Sequence, residues 1–95
     1  MLSNTLEHKA NILKSLAHPA RLCITSTLYF KGKCNVTHIQ NCMDMPQSTI
    51  SQHLCKLRSA GIIKGVRKGL EIEYEVIDSD AIAILEALFP CPMNE

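Results

Sequence analysis

Apolar residues recur at intervals of three and four along most of the chain, the spacing that places them on one side of a helix. The pattern predicts helices over residues 3–16, 19–30, 36–43, 47–60 and 80–89. Asn35 and either Asp78 or Ser79 are candidate N-caps, and Gly61 stands where the fourth helix would end. The second helix carries apolar residues on several sides, which predicts that it is the central, buried one.

Two stretches predict strands, and the second of them alternates strictly. Residues 71–76 alternate between glutamate and an apolar or aromatic residue, which predicts a strand with one buried face. Residues 62–66 predict its partner, and residues 67–70 predict the turn, because Gly69 permits a tight turn. The pattern as a whole predicts a mainly α protein with four helices, a small β-hairpin and one last helix.

The length of 95 residues suits one domain with a modest core, so we interpret residues 1–95 as a single domain. No apolar run approaches the about 20 residues that span a bilayer, and the first residues lack the order of a signal peptide. We therefore expect a cytoplasmic protein without membrane contact. Five cysteines in a reducing compartment are expected to be thiols rather than a disulfide framework.

Charge is distributed unevenly, although the net charge is only +1. Residues 45–70 contain basic side chains and no acid, whereas residues 71–95 contain acids and no lysine or arginine. This separation favours one face that meets a polyanion and another that faces water. Ordinary solvated charge is the alternative interpretation.

The third and fourth helices, separated by a break at residues 44–46, form a helix-turn-helix pattern. At 100° per residue, Ile50, Leu54 and Leu57 share one side of the fourth helix. The opposite side has hydroxyls, an amide, a thiol and a lysine, without an acid: Ser48, Ser51, Gln52, Cys55, Lys56 and Ser59. Short side chains allow close approach to a major groove, where Ser and Gln can bond to base edges. An ordinary amphipathic surface helix is the alternative, but such helices usually carry glutamate outward.

The predicted hairpin adds a second basic element. Arg67 and Lys68 are expected at its tip beside Gly69, from which they can reach phosphates or a minor groove. A solvated turn is the favoured interpretation of this feature when it is taken alone, whereas the helix and the wing together are much more specific.

Residues 16–22, 46–54, 61–63 and 67–74 together resemble the ArsR/SmtB family, in the right order and over nearly the whole chain. The resemblance implies a winged helix-turn-helix that forms a homodimer through its first and last helices. It implies a sequence-specific transcription repressor that binds an imperfect palindrome in double-stranded DNA. The contacts that it implies are Gln47, Ser48, Thr49, Ser51, Gln52, Lys56, Arg67 and Lys68, with His53 as a packing or backbone contact.

The chain does not match the usual metal sites of the family. In this it resembles one group of family members that lack those sites. Asp78 and Asp80 stand in the region of the last-helix zinc site, but no histidine follows them. Asn35 and Thr37 stand where the family's cysteine pair would lie. We therefore expect no metal and no cofactor. A non-standard thiolate site stays open as an alternative, built from Cys34, His38 and Cys42.

The remaining cysteines suggest a thiol switch. Some relatives bridge a second-helix cysteine to a last-helix cysteine when they sense persulfide. Cys23 and Cys91 lie on or just after those elements here, and each is displaced from the relatives' position, Cys23 by about one turn. The alternative is a small core residue and a terminal thiol. Cys55 is expected to be a tolerated small residue. A winged-helix module that binds another protein is the second functional hypothesis, and no catalytic motif indicates an enzyme.

Overall fold

The computed structural model describes residues 4–90. Its elements in chain order are α1 (Asn4–Leu16), α2 (Pro19–Lys31), β1 (Cys34–Asn35), α3 (Val36–Cys42), α4 (Gln47–Ser59), β2 (Ile63–Lys68), β3 (Glu71–Val76) and α5 (Ser79–Leu88). The fold is mostly helical with a small antiparallel sheet, as the pattern predicted. Within the described residues, each predicted helix bound lies within one residue of the observed one.

Side chains cap the start of three helices. His18 Nδ1 accepts a hydrogen bond from the Ala20 amide at 3.1 Å, and Pro19 fits the first turn of α2. Asn35 accepts from the His38 amide at 2.7 Å, and Asp78 accepts from Ala81 at 2.8 Å. These bonds satisfy amide groups that have no partner within the helix, and they explain where α2, α3 and α5 begin.

The sheet differs from the predicted hairpin in two respects. A third strand, β1, pairs with β3, and the strand order is β1-β3-β2. The ladder between β2 and β3 continues to the pair Lys68–Glu71, so the turn contains only Gly69 and Leu70. The prediction of a turn over residues 67–70 was therefore wrong. Arg67 and Lys68 are strand residues, because Gly69 at φ +66° lets a two-residue turn close the hairpin.

One apolar core lies between the helices and the sheet. α2 is central, since it contacts α1, α4, α5 and β3. Its buried hydroxyls bond within the helix: Thr25 donates to the Arg21 carbonyl at 2.9 Å, and Ser26 donates to the Cys23 carbonyl at 3.0 Å. The largest fully buried apolar side chains are Ile12, Ile24, Leu28, Ile39, Ile50, Leu54, Leu57, Ile62, Ile63 and Leu85.

The helices α1 and α5 lie against each other at one side of the fold. Lys9 Nζ lies 3.0 Å from Asp80 Oδ2, and His8 Nε2 lies 3.6 Å from Asp78 Oδ1. The two aspartates thus connect α5 to α1. Over residues 4–90, no helix combines the length and the apolar character that crossing a membrane requires.

Candidate nucleic-acid interface

The helix α4 is held on one side and exposed on the other. Ile50, Leu54 and Leu57 are buried in the core, where α4 contacts α2, α3 and β2. Its exposed residues are Gln47, Ser48, Ser51, Gln52, Cys55, Lys56, Arg58 and Ser59, and Thr49 is half-buried. The result is an outward face of small polar and basic side chains without a carboxylate, which we call the α4 face. It can approach a groove closely without repelling phosphate.

The first turn of α4 has no side-chain cap, unlike those of α2, α3 and α5. Pro46 occupies the N-cap position, and its carbonyl accepts from the Thr49 and Ile50 amides, each at 3.1 Å. The Gln47 and Ser48 amides, which precede those two, can donate to an anionic acceptor. Gln47 and Ser48 of this turn also belong to the α4 face.

His53 lies at the border between the buried side and the α4 face. Its ring centroid is 4.8 Å from that of His18, the N-cap of α2. Its Nδ1 is buried and has no hydrogen-bond partner among residues 4–90. Burial is the main cause that lowers the pKa of His53, and nearby positive charge, first that of His18, lowers it further. The surroundings of His53 therefore disfavour its protonated form, and they favour a structural contact between α4 and α2.

The wing, formed by β2, β3 and their turn, presents both basic and apolar groups. Arg67 and Lys68 are exposed along β2, and Leu70 is 97% exposed in the turn. Asn35 Nδ2 donates to Glu71 Oε1 at 2.6 Å, which links the wing to the start of α3. The Glu71 carboxylate is thereby bound within the protein. The sequence pattern did not reveal this link, because the two residues are far apart along the chain.

A groove of about 300 Å³ separates the wing from the start of α4. Gln47 and Ser51 line it on one side, and Leu70 and Ile72 line it on the other. Of the predicted contacts, Gln47 and Ser51 line this groove, whereas Arg67 and Lys68 do not, and the Glu71 side chain lines it on the side of the wing.

Comparisons with known proteins agree with this arrangement. The sequence model of the family of bacterial regulatory proteins named arsR matches residues 18–64. The transcriptional repressor PagR of Bacillus anthracis is 44% identical over 86 residues, which cover 90% of this chain and 86% of PagR. The chain belongs to the ArsR family.

Other members of the ArsR family agree in sequence and in fold. The crystal structure of PagR gives a TM-score of 0.82 and covers 88% of this chain and 95% of its own. The biofilm growth-associated repressor of Agrobacterium fabrum is 40% identical over 80 residues, 84% of this chain and 68% of that protein. The chain is thus a transcriptional repressor of the ArsR family with a winged helix-turn-helix, as its motifs predicted. Both of these relatives carry the name of a repressor.

The alternative thiolate site of this ArsR-family chain is not assembled. Cys34 is buried and its Sγ donates to the Gly32 carbonyl at 3.3 Å, whereas His38 and Cys42 are exposed. Burial is the main cause that raises the pKa of the Cys34 thiol, which disfavours the thiolate that a metal needs. Over residues 4–90, no three His, Cys, Asp or Glu side chains come together as a metal site.

Of the predicted thiol pair, the structure describes only Cys23. Cys23 is half-buried on α2 and lines a cleft of about 430 Å³ together with Cys42 and Lys31. Lys31 Nζ lies 3.9 Å from Cys42 Sγ. Cys91 lies outside the described residues, so the pairing of Cys23 with Cys91 stays a prediction.

Proposed function

We propose that this ArsR-family repressor binds double-stranded DNA in a sequence-specific manner, as a homodimer on an imperfect palindrome. The observation that carries the proposal is the α4 face, which is exposed, polar and free of carboxylates. A surface helix selected only for solubility would carry glutamate there. Duplex DNA is strongly anionic and offers donors and acceptors in its major groove, which matches this face.

The residues divide into two roles. Gln52 has an amide that can bond to adenine in two places, and Ser48 and Ser51 can bond to either a base or a phosphate. Gln47 and Thr49 belong to the first turn, whose amides can position the helix against a phosphate. Lys56 on α4, and Arg67 and Lys68 on the wing, supply positive charge to the backbone without selecting bases.

The dimer is proposed through α1 and α5. Leu13 on α1 and Leu88 on α5 are each 56% exposed, and Ile77 before α5 is 48% exposed. Apolar side chains of this size on two adjoining helices suit a contact with a second copy. A two-fold axis there would present two α4 faces to successive major grooves, about 34 Å apart. A repressor of this kind would act in the cytoplasm, where the chromosome lies.

Release from DNA by thiol oxidation or persulfide is the proposed signal, with Cys23 and Cys91 as the pair. A bridge between them would connect the central helix to the segment after α5, and so alter the spacing of the two α4 faces. A module that binds another protein through its acidic C-terminal third is the alternative function.

A titration with duplex DNA tests the proposal directly. The reduced protein should bind the DNA upstream of its own gene, and the affinity should fall steeply with salt, by roughly 0.9 logarithmic units per logarithmic unit of salt for each phosphate contacted. The titration is repeated with diamide, with persulfide and with thiophilic metals, and a Cys23→Ser variant is the control for the thiol pair. Absence of salt-sensitive binding at micromolar protein would favour the protein-interaction module.

A further inference from the structure

A second cleft, of about 380 Å³, opens beside the α4 face on the side of α1 and α2. Three helices bring a positive charge to it: Lys14 from α1, Arg21 from α2 and Lys56 from α4. None of the described residues that line it is acidic. The other lining residues are Asn11, Ser15, Cys55, Ser59 and Ala60. We call this the basic cleft.

Arg21 is fixed in the basic cleft by a bond to the main chain. Its Nε donates to the Ser15 carbonyl at 2.6 Å, at the end of α1. Arginine has five N–H donors, so the terminal groups of the guanidinium stay available for an acceptor in the cleft. The side chain is half-buried, which holds its charge in place and reduces the entropy that binding would cost.

The basic cleft is continuous with the α4 face. Cys55, Lys56 and Ser59 line the cleft and are also exposed on α4. A ligand that covers the α4 face therefore passes over the mouth of the cleft. Duplex DNA satisfies this condition, because its phosphates continue on both sides of the base pairs that a helix contacts.

We infer that the basic cleft binds a backbone phosphate of the duplex next to the base pairs contacted by α4. Lys14 and Arg21 thereby become phosphate-binding residues, and Lys56 joins the cleft to the α4 face. Asn11 and Ser59 supply neutral hydrogen-bonding groups at its rim. The inference rests on the proposed function, since it names a further part of the same DNA-binding surface. It also gives α1 a role in DNA binding in addition to its place at the proposed dimer contact.

The test replaces Lys14, because it lies on the surface and its loss leaves the packing intact. Lys14→Gln should weaken binding to operator and random duplex by a similar few-fold factor, and should reduce the salt slope by about one. Lys14→Arg should keep the slope. Lys33→Gln is the matched control, because it removes the same charge at an exposed position outside the cleft.

A second arm uses inorganic phosphate, which distinguishes a free anion from the DNA backbone. Amide shifts of Lys14 and Arg21 are followed by NMR during titration with phosphate and, separately, with duplex. Shifts with the duplex at micromolar concentration support the inference. Shifts with millimolar phosphate alone, together with an unchanged salt slope in Lys14→Gln, would assign the cleft to a free anion and overturn it.

The outcomes separate this inference from the proposed function. If Lys14→Gln behaves like Lys33→Gln while Gln52→Ala loses operator preference, the chain binds DNA and the basic cleft does not take part. If the wild-type protein binds no duplex, the proposed function fails and the cleft assignment fails with it.

Discussion

The helices α4 and α5 bury their inner sides in the same core but expose opposite chemistry. α4 buries Ile50, Leu54 and Leu57 and exposes hydroxyls, amides and cations. α5 buries Ala81 and Leu85. Its exposed residues are Ser79, Ala83, Glu86, Ala87 and Leu88. The Glu86 carboxylate accepts a hydrogen bond from the Tyr29 hydroxyl, and the last turn contains no basic residue.

This difference indicates the partner of each helix. Burial of one side is what both helices need for folding, and it says nothing about function. The exposed side is free to vary, and there α4 suits a polyanion while α5 suits another apolar surface. The predictions below alter one side or the other, in order of expected effect.

The largest effect is expected from Leu88→Glu. An acid on the outer side of α5 should dissociate the dimer, and operator affinity should fall about 100-fold or more because the two α4 faces no longer bind together. Light scattering measures the oligomeric state and a titration measures the affinity. Val66→Glu, at a wing position that is 43% exposed, is the control for the oligomeric state. A Leu88→Glu dimer with normal affinity would contradict the assignment of α5.

Gln52→Ala should have the next largest effect. Loss of an amide that bonds a base should cost about 1–3 kcal/mol on operator DNA and little on random DNA. Parallel titrations on the two duplexes measure the ratio. An equal loss on both would show that Gln52 positions the helix and does not select bases.

Lys56→Ala should have a smaller and more uniform effect. Loss of one phosphate contact should weaken operator and random duplex alike, by a few-fold, and reduce the salt slope by about one. Titrations at several salt concentrations measure the slope. A loss confined to the operator would place Lys56 against a base instead.

The smallest effect concerns His53, at the border of the two sides of α4. Its folded-state pKa is lowered by burial and by positive charge on His18, Arg21 and Lys56, so the unfolded chain binds its proton more readily. The free energy of unfolding should therefore fall as the pH drops below the unfolded value of about 6.5, until the folded pKa is reached.

Urea denaturation between pH 8 and pH 5 measures this dependence. His53→Gln should make the free energy of unfolding depend less on pH, because the variant has no group at this position that takes up a proton. His38→Gln, at an exposed position on α3, is the control for the other histidines. An unchanged pH dependence in His53→Gln would show that His53 stays neutral in both states or accepts a proton freely in the folded one.

Local patterns were sufficient for much of the fold and the α4 face. The helical repeat of Ile50, Leu54 and Leu57 identified the buried side of α4. The residues on the opposite, exposed side then followed from helix geometry. Asn35 was identifiable as a cap, and the cap of α5 was narrowed to Asp78 or Ser79, because a cap acts on amides two or three residues away. Such interactions depend on neighbours along the chain, so the order of residues determines them.

Contacts between distant segments were decided only by the tertiary structure. β1 pairs with β3, Asn35 bonds to Glu71, and Lys14 and Lys56 line the same cleft. In each case the residues are about 40 positions apart along the chain. No repeat along the chain encodes such meetings, because they depend on how the helices pack around the core. The amino-acid order therefore determined which side of α4 faces outward. The packing of α1 and α2 beside it decided where the positive charges converge.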